Sequence, residues 1–290
     1  MKVASNLVRD IKKYYREQLC SIYDYEEANS LILILLEHYF KIDRIKMALD
    51  PDLRLSESEM LTFHFAVKDL LKNKPIQYII GETEFCDLKF KVNENVLIPR
   101  PETSEMVYKI VNSQQSTVNR HRSIIDIGTG SGCIAISLAK AFPESQVFAL
   151  DVSEEALKVA KENAINNNVN VNFIHDNILN LKNIIETKFD IIVSNPPYVR
   201  ELEKAEMRNN VLEWEPHKAL FVRDNDRLIF YRNILEFAKT RLKEDGEVWF
   251  EINEFLSKEM TDLCHELGFS DIEIHKDFRG KERILAIHNA

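Results

Sequence analysis

Glycine is scarce in this chain, which has only seven in 290 residues. Cysteine is scarce too: its four residues are scattered without a C-x-x-C pair, which argues against a disulfide framework and against a zinc site of paired cysteines. The longest apolar run, Leu31 to Leu36, is far shorter than the roughly 18 residues that a membrane-spanning helix requires. We therefore expect a cytoplasmic protein with reduced thiols and no membrane association.

An excess of positive charge is also missing, because the formal net charge at pH 7 is −9. Such a charge gives the molecule as a whole no electrostatic attraction to the phosphates of DNA or RNA, although it does not exclude a local basic patch. The eight histidines show no H-E-x-x-H or similar ligand spacing, so no metal is indicated. With 45% hydrophobic residues, the chain is long enough for one large and one small domain.

Three of the seven glycines lie within five residues, behind an apolar β-branched run and ahead of an apolar-periodic stretch. This pattern predicts a strand at 123–127, a tight loop and then a helix. Glycines in such a loop let a ligand lie against bare peptide, while the helix N-terminus offers free N–H groups. A nucleotide-like ligand is therefore expected here. The residues that would hold it are Asp126, Ile127, Gly128, Thr129 and Gly130.

The spacing of these glycines distinguishes between nucleotide ligands. A dinucleotide fingerprint requires G-x-G-x-x-G, whereas here the third glycine comes one residue early, at Gly132, which disfavours a nicotinamide or flavin. A second strand, predicted at 147–150, ends in Asp151, whose carboxylate would accept both hydroxyls of a ribose. The alternative is a loop that only turns the chain, with Asp151 capping a helix at 154–166.

A second motif, Asn-Pro-Pro-Tyr at 195–198, ends the strand predicted at 189–194. It presents an amide side chain and a carbonyl that the following proline leaves without ladder or helix pairing. These acceptors suit a substrate –NH₂ group, because Asn195 Oδ1 and the Pro196 carbonyl would each accept one N–H while Tyr198 packs on the planar group. Asn195, Pro196 and Tyr198 are the candidate catalytic residues, and Pro197 completes the candidate substrate-binding segment. A strand that merely ends at prolines is the alternative.

Together these motifs resemble those of the S-adenosylmethionine-dependent methyltransferases that modify planar amino groups. The stretch 96–103, Val-Leu-Ile-Pro-Arg-Pro-Glu-Thr, is similar to the signature of one branch, the peptide chain release factor glutamine methyltransferases (the HemK/PrmC family). The likeness extends from 75–81 through 215–220 to 277–283, nearly the whole chain. It implies S-adenosylmethionine as cofactor, with Asn195 lying beside it, and methylation of the side-chain amide nitrogen of the glutamine in the Gly-Gly-Gln loop of release factors.

Arg100 lies between two prolines, which hold its side chain in a set direction. This segment forms either an ordinary turn with a solvated arginine or a wall of the active-site cleft. On the second interpretation Arg100 is a candidate substrate-binding residue. The family motif usually continues with glutamate, whereas Ser104 intervenes here before Glu105, so the role of that glutamate stays open.

A further strand, predicted at 171–174, leads into Asp176 and Asn177. An acceptor at this point would read the adenine amino group of the cofactor, and either residue is a candidate. Asp176 capping a turn is the alternative. The charged segment 200–227, which follows the Asn-Pro-Pro-Tyr motif, is expected to fold over the substrate.

The remaining patterns predict an α/β fold. Strands alternate with helices from Ser123, which favours a doubly wound, mostly parallel sheet, and the resemblance implies a seven-stranded, Rossmann-like methyltransferase sheet. The predicted strands are 123–127, 147–150, 171–174, 189–194, 247–252, 271–275 and 283–288. Apolar residues before Pro75 recur with helical period, and a capping box begins a helix at Ser56. They predict a small N-terminal helical bundle.

We divide the chain into a helical domain at 1–75, a linker at 76–100 with a β-hairpin between Glu84 and Val96, and a methyltransferase domain at 101–290. Two roles of the helical domain agree equally well with the sequence: packing alone, and recognition of the protein substrate. We expect a monomer that acts on peptide chain release factors without direct nucleic-acid contact.

Three other functions are weighed against this one. An adenine-N6 nucleic-acid methyltransferase would use the same acceptors on an exocyclic amine, but the acidic charge and the 96–103 stretch disfavour it. An NAD-dependent oxidoreductase is disfavoured by the glycine spacing. A non-catalytic module that binds S-adenosylmethionine is disfavoured by the intact 195–198 motif.

Overall fold

The computed structural model describes residues 5–114, 121–183, 186–207, 209–222 and 225–288. These residues form two compact units. The first contains the chain up to Gly81 together with a short helix at 209–214, and the second contains the rest. In this grouping the hairpin belongs with the sheet, and the domain limits at 75 and 100 stay predictions.

The first unit is helical, as the periodicity predicts. Its helices are α1 (Val8–Leu19), α2 (Tyr25–Phe40), α3 (Arg44–Leu49), α4 (Glu57–Leu70) and α5 (Ile76–Ile80). The capping box is present at the start of α4, where the Ser56 and Glu59 side chains each accept the other's backbone N–H. Leu19, Ile32 and Phe63 are fully buried in the core that α1, α2 and α4 share.

The β-hairpin that opens the second unit consists of β1 (Glu82–Phe85) and β2 (Leu88–Lys91). Its two turn residues, Cys86 and Asp87, both have positive φ, which matches the twist of a two-residue hairpin turn. The hairpin predicted between Glu84 and Val96 is thus present, but it begins and ends earlier.

A seven-stranded sheet forms the centre of the second unit. In chain order the strands of this unit that follow the hairpin are β3 (Ser123–Ile127), β4 (Gln146–Asp151), β5 (Asn172–His175), β6 (Phe189–Ser194), the short pair β7 (Val199–Arg200) and β8 (Phe221–Val222), β9 (Leu242–Glu251), β10 (Asp271–Lys276) and β11 (Glu282–His288). The sheet order is β10-β11-β9-β6-β3-β4-β5; all neighbours are parallel except β11, which is antiparallel to both β9 and β10. The predicted fold class is confirmed.

Helices cover both faces of this sheet. The helices of the second unit are α6 (Pro101–Ser113), α7 (Cys133–Ala141), α8 (Glu154–Asn166), α10 (His217–Leu220), α11 (Ile229–Arg241) and α12 (Ser257–Glu266), while α9 (Asn209–Trp214) belongs to the first unit. Neighbouring residues of β3 point to opposite faces: Ile124 joins the core shared with α6 and α7, and Ile125 joins the core shared with α11 and α12. This arrangement is the doubly wound architecture that the alternation predicts.

The chain returns to the first unit for a single short helix, α9. There Trp214 donates its indole N–H to the Lys72 carbonyl at 3.1 Å, and the Lys74 ammonium lies 5.2 Å from the centre of the indole ring. The next residue, Glu215, belongs to the second unit. The helical unit is therefore assembled from two separate pieces of the chain.

Among the residues that the structure describes, no helix combines the length and the apolar character needed to cross a lipid bilayer.

Candidate functional site

The carboxyl ends of the parallel strands bring both sequence motifs to one edge of the sheet. Ile127, the last residue of β3, pairs with Leu150 of β4, and Ser194 at the end of β6 pairs with Phe250 of β9. The Ser194 hydroxyl also donates to the Ile127 carbonyl at 2.6 Å, which joins the two motifs directly. Ligands of open α/β sheets bind at this edge. The residues that lie here are the glycine loop, Asp151, Asn195 and Glu251.

The glycines of the loop have two different structural roles. Gly128 has φ +79°, and a methyl group added to its Cα would meet no atom within 4 Å. Gly132 has φ +82° and precedes α7, where an added methyl would lie 2.8 Å from Ile136 and 3.1 Å from Ala160. The first glycine thus leaves open space beside the backbone, which fits a cofactor that lies against bare peptide. The third lets α7 and α8 pack closely.

Asp126 holds the loop in shape. One of its carboxylate oxygens accepts the Thr129 hydroxyl at 2.6 Å and the Ala135 backbone N–H at 3.2 Å, while the other is buried without a hydrogen-bond partner among the described residues. Burial, together with the negative charge of Asp151, raises the pKa of Asp126 to about 7. These contacts give Asp126 a role in shaping the loop, and its direct contact with a cofactor stays a prediction.

Asp126→Asn should change how stability depends on pH. The folded state holds a proton on Asp126 up to a pKa of about 7, whereas the unfolded chain releases it near 3.8. Between these values the folded state binds more protons, so this group's contribution to stability is present at low pH and is lost as pH rises toward 7. Urea unfolding at several pH values should therefore show a weaker decline for the variant than for the wild type. Equal declines would contradict the assigned pKa.

Asp151 lies at the end of β4 and is 8% exposed. Its two carboxylate oxygens each accept one backbone N–H at 2.8 Å, from Gly130 and from Ser153. Each oxygen keeps capacity for another donor, so binding of ribose hydroxyls by Asp151 stays a prediction. The structure does not favour the alternative role, because the N-cap of α8 is Ser153, whose hydroxyl accepts the Ala156 N–H at 3.2 Å.

We expect Asp151→Ala to weaken S-adenosylmethionine binding at least tenfold, because a charged acceptor for the ribose would be lost, a loss of about 1.4 kcal/mol or more. Isothermal titration calorimetry measures this affinity. Thermal unfolding of the ligand-free variant is the control, since Asp151 also holds Gly130 in the loop. Unchanged affinity in a folded variant would rule out the ribose contact.

Asp176 and Asn177 both stabilise the turn after β5. The Asp176 carboxylate accepts backbone N–H groups from Asn177, Lys182 and Asn183, and Asn177 Oδ1 accepts the Leu179 N–H at 3.0 Å. Burial acts to raise the pKa of Asp176, but these backbone donors outweigh it and hold the pKa below its usual value. These bonds correspond to the turn-capping alternative for Asp176. Recognition of adenine by either residue stays a prediction.

Asn195 is oriented by a hydrogen bond that leaves its oxygen available. Its Nδ2 donates to the Thr103 hydroxyl at 3.1 Å, and that hydroxyl donates to Glu251 Oε2 at 2.5 Å. Within the part of the chain that the structure describes, neither Asn195 Oδ1 nor the Pro196 carbonyl accepts a hydrogen bond. The arrangement therefore offers the two acceptors that a planar –NH₂ group requires.

Tyr198 is anchored beneath the same motif. Its hydroxyl donates to Glu251 Oε1 at 3.0 Å, and its ring packs against the core shared with α11 and α12. Burial, and next the negative charge of Glu251, raises the pKa of Tyr198 well above its usual value. The phenol thus stays protonated and keeps donating to Glu251. Packing of the ring on a substrate amide stays a prediction.

Arg100 has a fixed partner, Glu215. The guanidinium donates to Glu215 Oε1 at 2.5 Å, and Glu215 Oε2 accepts the Ile98 backbone N–H at 3.3 Å. The Glu215 side chain is 1% exposed and that of Arg100 is 32% exposed. This ion pair fixes the direction of the arginine and leaves part of it open to solvent. Contact of Arg100 with the substrate stays a prediction.

Two residues of this site have no role in the sequence interpretation. Thr103 lies in the first turn of α6 and Glu251 ends β9, and both are buried. The sequence carries one signal for Glu251, which is an acidic residue that closes the apolar run Val248 to Phe250. Thr103 carries no local signal beyond its place in the 96–103 stretch.

No group of three side chains suited to bind a metal ion occurs within the described ranges. The site thus consists of a glycine loop with open space beside it and a pair of acceptors set on buried, hydrogen-bonded supports.

Comparisons with known proteins cover most of the chain. The family model of the PrmC N-terminal domain matches residues 10–81, and that of the methyltransferase small domain matches residues 104–214. The release factor glutamine methyltransferase of Flavobacterium psychrophilum is 46% identical over 283 residues, which span 97% of this chain and 99% of the relative. The protein of the same name from Bacteroides thetaiotaomicron is 42% identical, over 95% and 98% of the two chains.

The fold is similar to that of a solved methyltransferase structure. The methyltransferase from Pyrococcus furiosus matches with a TM-score of 0.51 at 22% identity, over 70% of this chain and 89% of that one.

Proposed function

Because the chain belongs to the release factor glutamine methyltransferase family, we propose that it methylates peptide chain release factors with S-adenosylmethionine as donor. The acceptor would be the side-chain amide nitrogen of the glutamine in their Gly-Gly-Gln loop. The observation that carries the proposal is the pair of acceptors at the end of β6. Asn195 Oδ1 and the Pro196 carbonyl accept no other hydrogen bond among the described residues.

These acceptors address the main difficulty of the reaction. An amide nitrogen is a poor nucleophile because its lone pair is delocalised into the carbonyl. Acceptors placed out of the amide plane favour a tetrahedral nitrogen and stabilise the positive charge that develops on it, an effect confined to the transition state. The product loses its extra proton readily, so no strong base is required. S-adenosylmethionine supplies an electrophilic methyl group when bound.

The glycine loop and the residues around it are proposed to hold this cofactor. The open side of Gly128 would receive the ligand against the backbone, and Asp151 would accept the ribose hydroxyls. Asp126 keeps the loop in shape through Thr129. The complete proposed set is Asp126, Ile127, Gly128, Thr129, Gly130, Asp151, Asp176, Asn177 and Asn195, of which Asn195 lies beside the cofactor and contributes little to its affinity. The proposed substrate contacts are Arg100, Asn195, Pro196, Pro197 and Tyr198.

One experiment tests the assignment. The protein is incubated with labelled S-adenosylmethionine and an intact release factor, and the product is digested and sequenced by mass spectrometry. We expect one methyl group on the loop glutamine and none when that glutamine is replaced. DNA and RNA in parallel reactions should accept no label. Methylation of adenine without any labelling of the release factor would overturn the assignment in favour of a nucleic-acid methyltransferase.

We further propose a monomeric, cytoplasmic enzyme whose helical unit contacts the protein substrate. This unit carries large apolar side chains that face solvent: on α4, Leu61 is 49% exposed and Phe65 is 61% exposed. One turn separates them, so they lie on one side of the helix. A partner protein would bury such side chains.

Replacing Leu61 and Phe65 together with aspartate should raise KM for an intact release factor about tenfold or more while leaving kcat and cofactor affinity unchanged, because the variant would lose an apolar contact with the substrate that takes no part in methyl transfer. Ile165→Asp is the matched control, since Ile165 is 74% exposed on α8 of the other unit. If the double variant and the control gave the same KM, the exposed side of α4 would have no part in recognition.

A further inference from the structure

We propose that Thr103 and Glu251 are positioning residues that fix which end of the Asn195 carboxamide faces the substrate. The inference rests on the proposed function, in which Asn195 Oδ1 accepts a substrate N–H. Its basis is the chain of hydrogen bonds from Asn195 Nδ2 to the Thr103 hydroxyl, and from that hydroxyl to Glu251 Oε2.

The shape of a carboxamide explains why the orientation of Asn195 has to be fixed by hydrogen bonds. The oxygen and nitrogen ends of a carboxamide are nearly the same size, so packing alone does not distinguish them, whereas hydrogen bonds do. With nitrogen toward the substrate, Asn195 would present a donor to an –NH₂ group and repel it. With oxygen toward the substrate, it presents the acceptor that the reaction needs. The orientation of the Asn195 carboxamide therefore determines the rate of methyl transfer.

The Glu251 carboxylate sets the direction of both hydrogen bonds that connect Glu251, Thr103 and Asn195. An ionised Glu251 only accepts, so the single Thr103 proton is committed to Glu251 Oε2. The Thr103 oxygen then receives a hydrogen bond, and Asn195 supplies it from Nδ2. Asn195 Oδ1 is consequently turned away from Thr103. One charged group at the end of β9 thereby sets the orientation of a side chain that follows β6.

The surroundings keep this arrangement intact. Thr103 and Glu251 are 2% and 1% exposed, so water does not compete for their hydrogen bonds. The second oxygen of Glu251 accepts the Tyr198 hydroxyl at 3.0 Å, which leaves neither oxygen without a donor. Burial raises the pKa of Glu251 above its usual value, and the negative charge of Glu102 adds to this, while the hydrogen bonds from Thr103 and Tyr198 and the positive charge of Arg283 act in the opposite direction and favour the ionised form.

The test compares two replacements of Thr103 in the full-length protein. Thr103→Val keeps the shape of the side chain and removes the hydroxyl, whereas Thr103→Ser keeps the hydroxyl. We expect Thr103→Val to lower kcat for the release factor about tenfold or more with KM and cofactor affinity unchanged, and Thr103→Ser to restore most of the rate. Equal kcat values for the two variants would overturn the proposal.

A double-mutant cycle separates positioning from general support of the fold. If Thr103 acts through Asn195, then Thr103→Val should lower kcat in the wild-type background and have no further effect in the Asn195→Ala background. A purely structural role would give the same factor in both backgrounds and would count against the proposal. A wild-type protein that leaves release factors unmethylated would instead refute the proposed function.

A measurement without turnover completes the test. The Nδ2 proton of Asn195 that points at Thr103 should exchange slowly with solvent in the wild type and in Thr103→Ser, because it is donated to a buried hydroxyl. The same proton should exchange rapidly in Thr103→Val. Nuclear magnetic resonance of ¹⁵N-labelled protein reports these rates, and rapid exchange in the wild type would contradict the hydrogen bond on which the inference depends.

Discussion

Asn195→Ala should lower the rate of methyl transfer to the release factor on the order of a hundredfold or more while leaving the affinity for S-adenosylmethionine nearly unchanged. The physical reason is that the Oδ1 acceptor stabilises positive charge on the nitrogen mainly in the transition state, so its loss lowers kcat more than binding. Single-turnover kinetics with saturating cofactor measures the transfer step, and calorimetry measures the affinity.

The removal of Asn195 also leaves the Thr103 hydroxyl without its donor. Thermal unfolding therefore has to accompany the kinetics, and a folded variant with wild-type kcat would refute the role of Asn195. A variant that loses cofactor affinity as strongly as rate would point to a binding role for Asn195 in place of a catalytic one.

The second large effect is expected from Gly132→Ala, which should destabilise the fold by about 2–5 kcal/mol. Positive φ costs a residue with a side chain about 1–2 kcal/mol, and overpacking of a filled site adds about 1–3 kcal/mol. The overlap is with Ile136 and Ala160, at 2.8 and 3.1 Å from the added methyl. Both lie in helices that pack at this point, and both are fully buried, so the added methyl forces a shift within the packed core. Urea unfolding measures the loss.

Gly128→Ala is the matched control for this prediction. Gly128 shares the positive φ of Gly132, but a methyl group added there meets no atom within 4 Å. We expect it to cost only the conformational part, about 1–2 kcal/mol, and to weaken cofactor binding because the methyl would project into the open space. Equal destabilisation by the two variants would show that packing between α7 and α8 is not limited by Gly132.

The elements of the sheet were predictable because each strand carries its own local signal. The strand predicted at 123–127 matches β3, and the strand predicted at 189–194 matches β6. The strand predicted at 247–252 was too short, since β9 begins at Leu242. Its first half contains the polar stretch 243–246, which does not look like a buried strand, and the pairing with β6 is irregular there, since Phe189 pairs with Leu242 and Ile191 with Glu247.

The supports of the site were not predictable, because they depend on contacts between distant parts of the chain. Thr103 meets Glu251 across 148 positions and Asn195 across 92. No periodicity or spacing rule spans such distances. The motifs identify which atoms are available to a ligand, whereas the orientation of those atoms follows from the sheet order, which brings the end of β9 beside the end of β6.

Arg100 shows the same limit. The flanking prolines predict a side chain with a set direction, and the structure agrees, but the cause is an ion pair with Glu215 in a segment 115 positions away. That partner is visible only in three dimensions. A sequence pattern therefore predicted the rigidity of this residue without indicating its partner.

The return of the chain to the helical unit at α9 has a consequence for synthesis on the ribosome. The residues up to Gly81 emerge first, but Trp214, which binds the Lys72 carbonyl, emerges only after β3, β4, β5 and β6. The helical unit thus reaches its final form only when most of the sheet's parallel strands already exist. A nascent chain that stalls between residues 81 and 209 would leave the Lys72 carbonyl without the Trp214 indole N–H and the Lys74 ammonium without its aromatic neighbour.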